Sequence, residues 1–196
     1  MKLVIATTNA NKLREYRELF APFKIEVLGL KDVNYTKEIE ETGTTFAENA
    51  IIKAETVSKA LNCLVVADDS GLSIHALENF PGIHSARFME GHSYQEKCAE
   101  LIQRVKPYKD RSCDFTCAIA LAIPKQPTQV VEGKFYGEVA TSYRGSGGFG
   151  YDPIFLVPSL GKTVGELGEE VKNTMSHRYL ATTKLIALMK KAGIIE

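Results

Sequence analysis

Two short apolar runs constrain the fold more than any other feature of the sequence. Leu3 to Ala6 and Cys63 to Ala67 are continuous apolar runs of the kind found in strands that are covered on both faces. The first run passes directly into a helical pattern, with Leu13, Tyr16, Leu19 and Phe20 on one side. Strands that alternate with helices in this way predict an α/β fold.

The rest of the chain continues the alternation. A second helix carries an apolar stripe of Phe46, Ala50, Ala54, Val57 and Leu61. Thr45 to Glu48 fits a capping box at its start, so we interpret Glu48 as a cap. Cys113 to Ile123 and Val130 to Val139 predict two longer strands that form an antiparallel hairpin, which is a candidate for part of a second lobe. Ser176 to Ala192 predicts a final helix, ended by Gly193.

Composition narrows the class of protein. The 196 residues, 44% of them apolar, suit a single domain spanning residues 1–196, either one globule or two lobes. Lys+Arg and Asp+Glu both number 24, so the basic excess of a nucleic-acid binder is missing and we expect no nucleic-acid partner. No run approaches the length of a membrane span, which predicts a cytoplasmic protein without a membrane partner. The four cysteines are scattered, which favours buried free thiols over a zinc site.

The turn from Thr7 to Lys12 joins the first predicted strand to the first helix. Free backbone N–H groups, short polar side chains and one ammonium would converge there, which is the outline of an anion site. The turn lacks the pattern of a Walker loop, and an ordinary N-capping turn followed by a surface lysine would have the same sequence. Phosphate binding is therefore a hypothesis that needs support from other residues.

The acidic segment Asp68-Asp69-Ser70-Gly71 follows the second apolar run, and we predict a turn at the carboxyl end of that strand. Ligands of α/β sheets bind beyond the carboxyl ends of the strands, so this turn and the Thr7–Lys12 turn should face one cleft. We expect one aspartate to reach a metal or a water and the other to fix the loop. Two carboxylates near phosphates need a cation between them, and Mg²⁺ is the usual choice. The alternative is a simple Asx-turn.

Three further segments contain groups that suit a nucleotide. Glu40 and Glu41 precede the second helix and could supply another carboxylate to the same cation, although a solvated acidic loop is the default. Gly145 to Pro153 combines backbone freedom with two aromatic rings, which suits either a planar ligand or an ordinary glycine-rich loop. Lys172 and Ser176-His177-Arg178 place donors near the start of the last helix, where they would bind a phosphate or a purine carbonyl, or only solvent.

Together these segments resemble the inosine triphosphate pyrophosphatase family of the dITP/XTP type. The resemblance runs from about residue 3 to residue 190 and keeps the order and approximate spacing of the family's motifs. Beyond the turns above, it is carried by Glu41-Thr42-Gly43, by Pro81-Gly82-Ile83 with Ser85-Ala86-Arg87, by Gly147 to Pro153 and by Ser176-His177-Arg178. One departure is Thr8, where bacterial relatives commonly have glycine. The resemblance implies an elongated mixed α/β fold of two lobes around a central substrate cleft, assembled as a homodimer.

The resemblance also implies a role for each motif. Asp69 would be the proton acceptor and a magnesium ligand, with Glu41, or less favourably Glu40, as the second ligand. The triphosphate would be bound by Thr7, Thr8, Asn9, Ala10, Asn11 and Lys12. Ser70 would lie beside the substrate, and Lys172 would hold phosphate. The nucleoside would lie against Phe149, Gly150, Tyr151 and Asp152, and the base would be read by His177 and Arg178.

The expected reaction is Mg²⁺-dependent hydrolysis of ITP, dITP or XTP to the monophosphate and pyrophosphate. Asp69 would deprotonate a water that attacks the α-phosphorus, while Lys12 and Lys172 offset charge on the leaving group. Two alternatives remain open at this stage. One is a pyrophosphatase acting on modified pyrimidine nucleotides, which resembles septum-inhibitor proteins. The other is a nucleotide-binding module without catalysis, which would have no need of Asp69.

Overall fold

The structure is a computed structural model that describes residues 1–196. Eight strands are present: β1 (Lys2–Ile5), β2 (Glu26–Leu28), β3 (Val65–Ile74), β4 (Phe80–Pro81), β5 (Ser112–Ala122), β6 (Gln129–Val139), β7 (Phe155–Val157) and β8 (Lys162–Thr163). Five α-helices accompany them: α1 (Ala10–Phe20), α2 (Phe46–Leu61), α3 (Tyr94–Val105), α4 (Glu169–Lys172) and α5 (His177–Lys191). None of the helices is both long enough and apolar enough to span a membrane.

The strands form one open mixed sheet. Their order is β2-β1-β3-β5-β6-β7-β8, and β4 pairs with β3 off this path. β1 is parallel to both β2 and β3, whereas β4 is antiparallel to β3 and β7 is antiparallel to β6 and β8. The predicted mixed α/β fold with flanking helices is therefore confirmed. β5 and β6 are hydrogen-bonded neighbours joined by residues 123–128, as expected for the predicted hairpin.

The chain divides into two compact units. The first unit consists of Met1–Asp69, Cys117–Gly133 and Arg178–Glu196, and the second of Ser70–Thr116 and Lys134–His177. The unit boundaries fall within β3, β5 and β6, so each of these strands contributes residues to both units. The description of residues 1–196 as a single domain stays a prediction.

The first unit has helices on both faces of its strands, which explains the continuous apolar runs. Leu3 and Ile5 belong to one core cluster, which also contains Tyr16 and Phe20 of α1 and the α5 residues Ala181, Leu185 and Met189. Val4 and Ala6, which point to the opposite face, belong to a second cluster with the α2 residues Ala50, Ala54 and Val57. A strand covered on both sides needs apolar residues at successive positions.

The second unit is built on α3 and on aromatic side chains from three strands. Leu101 and Val105 of α3 share a core cluster with Phe115 and Phe155. The Phe155 ring stacks on Phe115 at 4.3 Å between centroids and on Phe135 at 5.0 Å. Phe155 has no exposed surface, so this stack lies at the centre of the unit.

The predicted turn at Asp68-Asp69-Ser70-Gly71 is wrong, because these residues lie inside β3. Apolar residues resume directly after the acidic segment, at Leu72 and Ile74, and both are buried. The strand is held at both ends, by parallel pairing of Val65 and Val66 with β1 and by antiparallel pairing of Ser73 and Ile74 with β4. Charged residues in the middle of a strand give the same sequence pattern as the end of a strand, which explains the wrong prediction.

The predicted start of α2 is confirmed, although one cap bond differs from the capping box. The Thr45 hydroxyl accepts a hydrogen bond from the Glu48 amide at 3.1 Å, as predicted. The Glu48 carboxylate, however, accepts from the Thr44 amide at 2.6 Å and from the Thr44 hydroxyl at 3.0 Å, one residue further back. Glu48 is thus a capping group, and these bonds lower its pKa.

We predict that Phe155→Ala lowers the free energy of unfolding by about 3–5 kcal/mol, because it removes the ring between Phe115 and Phe135 and leaves a cavity. Tyr136→Ala is the matched control, since Tyr136 lies on β6 in the same unit with 64% of its surface exposed. This control should change the free energy by no more than about 0.5 kcal/mol. Urea unfolding measures both values, and equal losses would contradict the assigned core.

Candidate active site

The turn from Thr7 to Lys12 is closed by its own side chains. Asn9 is the N-cap of α1, and its Oδ1 accepts hydrogen bonds from the amides of Asn11 at 3.0 Å and Lys12 at 3.2 Å. The Thr7 hydroxyl accepts from the Asn9 amide at 3.1 Å. The expectation of free backbone N–H groups is therefore wrong at these three positions, because short polar side chains at a helix start satisfy them locally. Thr8 and Ala10 are exposed.

The Lys12 side chain instead reaches a buried aspartate. Its Nζ lies 3.2 Å from each carboxylate oxygen of Asp68. Asp68 Oδ2 also accepts hydrogen bonds from Arg178, from Nε at 3.3 Å and from a terminal nitrogen at 3.1 Å. The other terminal nitrogen of Arg178 donates to Glu15, and the Cys117 thiol lies 3.7 Å from Asp68. Lys12, at the end of the Thr7–Lys12 turn, thus contacts the acidic segment, whereas the predicted shared cleft stays a prediction.

Three cations keep Asp68 ionised. Burial acts to raise its pKa, but the charges of Lys12, Arg178 and Lys53 outweigh burial and hold the pKa well below the usual range. Both carboxylate oxygens are occupied, and no surface of the side chain is exposed. Asp68 is therefore a fixed buried anion, which suits the expectation that one aspartate secures the structure.

Asp69 points to the other face of β3 because successive strand residues alternate. Its Oδ2 accepts a hydrogen bond from the Asn49 amide at 3.2 Å, and its Oδ1 lies 3.9 Å from Lys53 Nζ. Lys53 Nζ lies 2.6 Å from Glu41 Oε1, so two carboxylates converge on one ammonium. Glu40 is exposed and makes no ion pair. Of the two glutamates predicted as the second metal ligand, the structure therefore favours Glu41.

The pKa of Asp69 is shifted in the opposite direction from that of Asp68. Burial raises it and the charge of Glu41 adds to this effect, whereas Lys53, Lys12 and the Asn49 hydrogen bond act to lower it. Burial alone would lower the pKa of Lys53, but Asp68, Asp69 and Glu41 together raise it. Adjacent aspartates thus have different protonation behaviour, the usual sign of different roles.

The donor set of Glu41 and Asp69 fits magnesium. Both supply hard oxygen ligands, and they already share one positive charge from Lys53. No cluster of three or more His, Cys, Asp or Glu side chains forms a complete protein cage for a metal. Mg²⁺ is usually held by one or two carboxylates together with waters and substrate phosphates, so two carboxylates are sufficient.

A second group of predicted residues lies together in the second unit. Lys172, which is 4% exposed, donates to Asp152 Oδ2 at 2.8 Å, and its ammonium lies 4.4 Å from the centroid of the Phe149 ring. The Phe149 amide donates to the same Asp152 oxygen at 3.0 Å. Gly150 has a φ of 63°, in the left-handed region that favours glycine. Phe149, Asp152 and Lys172 therefore form one fixed arrangement.

Tyr151 and His177 are held by other groups of the second unit. The Tyr151 hydroxyl donates to the Ser85 carbonyl at 2.5 Å, and burial raises its pKa. The His177 ring stacks on Phe115 at 4.8 Å between centroids. Ser70, which follows Asp69 on β3, is half-buried. Arg178 was expected to read the base, but its guanidinium is bound to Asp68 and Glu15, so base reading by this residue stays a prediction.

The chain is similar in sequence to one known protein family. Residues 3–188 match the Ham1 family. The chain belongs to the Ham1 family. Among relatives, the dITP/XTP pyrophosphatase of Geobacillus kaustophilus is 48% identical over 187 residues, covering 94% of this chain and 92% of the relative. The dITP/XTP pyrophosphatase of Bacillus subtilis is 45% identical over 190 residues, covering 95% and 96%.

Solved structures of Ham1 proteins have the same fold. The Ham1 protein of Staphylococcus aureus matches with a TM-score of 0.89 and 40% identity over 98% of this chain and 100% of that chain. The dITP/XTP pyrophosphatase of Mycobacterium abscessus matches with a TM-score of 0.76 and 38% identity, covering 94% and 98%. The predicted family and fold are therefore confirmed.

Sequence reasoning missed Lys53 and Glu15. Lys53 follows Asn49 by four residues on α2, so the two side chains share one helix face. This face lies at the edge of the apolar stripe, because Asn49 and Lys53 directly precede Ala50 and Ala54. Glu15 directly precedes the buried Tyr16 on α1 and is itself 3% exposed. A charged side chain at the edge of an apolar stripe was the available signal, but a solvated helix face has the same pattern.

We predict that Asp68→Asn lowers the free energy of unfolding at pH 7 by about 3–5 kcal/mol, because it leaves buried cations without their counter-charge. The folded-state pKa of Asp68 is depressed, so its stabilising effect is present above the unfolded pKa of about 3.9 and is lost as the pH falls further. The difference between wild type and variant should therefore shrink below about pH 4. Urea unfolding across pH measures it, with Glu38→Gln, an exposed site, as control. A difference that stays constant down to acidic pH would contradict the assignment.

Proposed function

We propose that this member of the Ham1 family hydrolyses non-standard purine nucleoside triphosphates, namely ITP, dITP and XTP, to the monophosphate and pyrophosphate. The observation that carries the proposal is the convergence of Glu41 and Asp69 on one ammonium, next to the buried pair of Lys12 and Asp68. The relatives named as dITP/XTP pyrophosphatases match nearly the whole chain, which supports this choice of substrate.

Magnesium is part of the proposal. Glu41 and Asp69 would hold the ion, and bound Mg²⁺ would neutralise phosphate charge and polarise a phosphoryl oxygen. Lys53 neutralises these two carboxylates in the structure. Because triphosphates carry several negative charges, two carboxylates without a counter-charge would repel the substrate. Lys53 therefore belongs to the substrate-binding set, although the sequence analysis did not include it.

Asp69 is the residue we assign as general base. It would take a proton from a water whose oxygen forms a bond to the α-phosphorus, while the bond from the α-phosphorus to the bridging oxygen breaks and pyrophosphate leaves. Asp68 is unsuited to this role, because both of its oxygens are occupied by cations.

The remaining assignments concern the nucleotide. Lys12 and the Thr7–Lys12 turn would contact the phosphates, and Lys172 would contribute positive charge beside Phe149. Phe149 is partly exposed, which suits stacking of its ring on a purine. Donors at His177 and Arg178 would bind the 6-oxo group, and adenine would leave such donors unpaired. A homodimer and a cytoplasmic location stay predictions.

Product analysis tests the reaction directly. With Mg²⁺ present, ITP, dITP and XTP should yield one pyrophosphate for each monophosphate, and addition of a chelator should stop the reaction. Including ATP, GTP and dTTP in the panel tests base selection. Release of orthophosphate and a diphosphate would overturn the proposal, as would equal rates with dTTP.

Asp69→Asn should lower kcat by about 10³-fold, because it removes the proton acceptor while keeping the shape of the side chain. Asp32→Asn is the control, because the Asp32 carboxylate pairs with Arg17 at the surface and should leave kcat unchanged. Circular dichroism checks that both variants are folded. A folded Asp69→Asn variant with wild-type kcat would exclude Asp69 as the base.

Lys53→Met should lower kcat/KM by at least about tenfold, since a change of about 1.4 kcal/mol in electrostatic stabilisation corresponds to a factor of ten. Lys59→Met is the matched control, because Lys59 lies on the same helix but is exposed. Steady-state kinetics with dITP measures both variants. If the two variants behaved alike, Lys53 would have no role in binding the substrate.

A further inference from the structure

Three cationic side chains are buried, and one of them has no carboxylate partner. Arg178, which is 1% exposed, pairs with Asp68 and Glu15, and Lys172, which is 4% exposed, pairs with Asp152. Lys97 on α3 is 5% exposed, yet its Nζ contacts only the Ala86 carbonyl at 3.3 Å and the face of the Tyr94 ring at 4.6 Å from the centroid. Lys97 is thus a buried cation without a counter-charge.

This position is unfavourable for the stability of the free protein. A buried charge is normally paired, because removal from water is costly without a partner. Lys97 also lies in the first turn of α3, where the helix dipole disfavours a positive charge. The acidic neighbour Glu96 does not relieve this, since its carboxylate accepts hydrogen bonds from the amide and hydroxyl of Ser93. If the side chain at position 97 had only a packing role, an apolar side chain of the same length would be more favourable there.

The surroundings of Lys97 lead to the segment proposed to bind the nucleoside. The Tyr94 ring, on which the ammonium lies, packs edge-on against Tyr151 at 5.2 Å between centroids. The next residue on α3, Cys98, has its thiol 3.9 Å from the Gly150 carbonyl. The backbone carbonyl of Ser85, the residue before Ala86, accepts a hydrogen bond from the Tyr151 hydroxyl. The ammonium is therefore one ring away from Tyr151.

The Lys97 ammonium lies within about 10 Å of the centroid of the Tyr151 ring, so its charge can act on a base bound against that ring. Charges separated by less than a Debye length of about 10 Å interact, and screening is weaker for a buried group. Asp152, the acidic residue of the segment, is already paired with Lys172. The field of Lys97 in this region is thus not cancelled by a carboxylate of its own, and it favours a negatively charged base over a neutral one.

We propose that Lys97 is a specificity-determining residue that favours xanthine nucleotides over hypoxanthine nucleotides. The 2,6-dioxo purine ring of xanthine loses a proton near neutral pH and becomes an anion, whereas hypoxanthine stays neutral. A bound xanthine base supplies the negative charge that Lys97 lacks in the free protein. The inference rests on the proposed function for the location of the base, but the preference itself is a property of binding and does not require turnover.

The test compares two monophosphates that differ only in the base. Binding of XMP and IMP is measured by calorimetry at pH 7.5 for the wild type, Lys97→Met, Lys97→Arg and the control Lys106→Met, whose lysine is exposed at the end of the same helix. Lys97→Met should weaken XMP binding about tenfold and change IMP binding by less than about twofold, a selective effect expected for loss of one charge interaction. Lys97→Arg should retain most of the XMP preference.

Each other result contradicts the inference. An equal loss of XMP and IMP binding would mean that Lys97 only holds the Ala86 segment in position, and unchanged XMP binding would mean that the charge does not reach the base. Turnover of XTP and dITP is measured separately on the same proteins. A wild type that binds XMP through Lys97 but releases no pyrophosphate would refute the proposed function and leave this inference standing.

Discussion

The carboxylate of Asp68 is the interaction on which the first unit depends. It joins Lys12 at the start of α1 to Arg178 at the start of α5, and Arg178 in turn binds Glu15 of α1. Two helices whose paired residues Glu15 and Arg178 are 163 residues apart in the sequence are thereby fixed to β3. Because these groups are buried, the loss of any one of them leaves the others with uncompensated charge, which is far more unfavourable than an exposed broken pair.

The pleat of β3 separates this structural role from the proposed chemical role. Val66 and Asp68 belong to the face covered by α1 and α5, whereas Val65, Ala67 and Asp69 belong to the face covered by α2. On the first face two cations lower the pKa of Asp68, and on the second face burial and Glu41 raise that of Asp69. Two adjacent residues of the same type thus have different properties: Asp68 stays ionised, and Asp69 is able to accept a proton.

The sequence predicted several elements from their apolar pattern, but α3 was not predicted, and one strand was predicted poorly because charges interrupt it. The first apolar run, α2, the long strand pair and α5 were predicted within one residue, and the start of the second apolar run was predicted within two. The strand through Asp68 and Asp69 was ended too early, because the partners that make buried carboxylates tolerable, Lys12 and Arg178, are distant in sequence. Lys53 was missed for the same reason: its partners Glu41 and Asp69 are brought to α2 only by the fold. The backbone amides of the Thr7–Lys12 turn were expected to be free, whereas Asn9 caps two of them. The sequence could not distinguish these cases, because a helix cap and an anion site use the same residue types.

The two units differ in whether every buried cation has a carboxylate partner. In the first unit each buried cation lies beside carboxylates of the protein, so the network is complete in the free chain. In the second unit Lys172 is paired with Asp152, while Lys97 has only a carbonyl and a ring. A complete network resists an incoming anion, since the ligand must compete with existing partners. A buried cation without a carboxylate partner favours an incoming anion, because binding supplies the counter-charge that the free protein lacks. A cation such as Lys97, which has no carboxylate partner, therefore suits selection of a charged base better than Arg178, whose charge is already neutralised by Asp68 and Glu15.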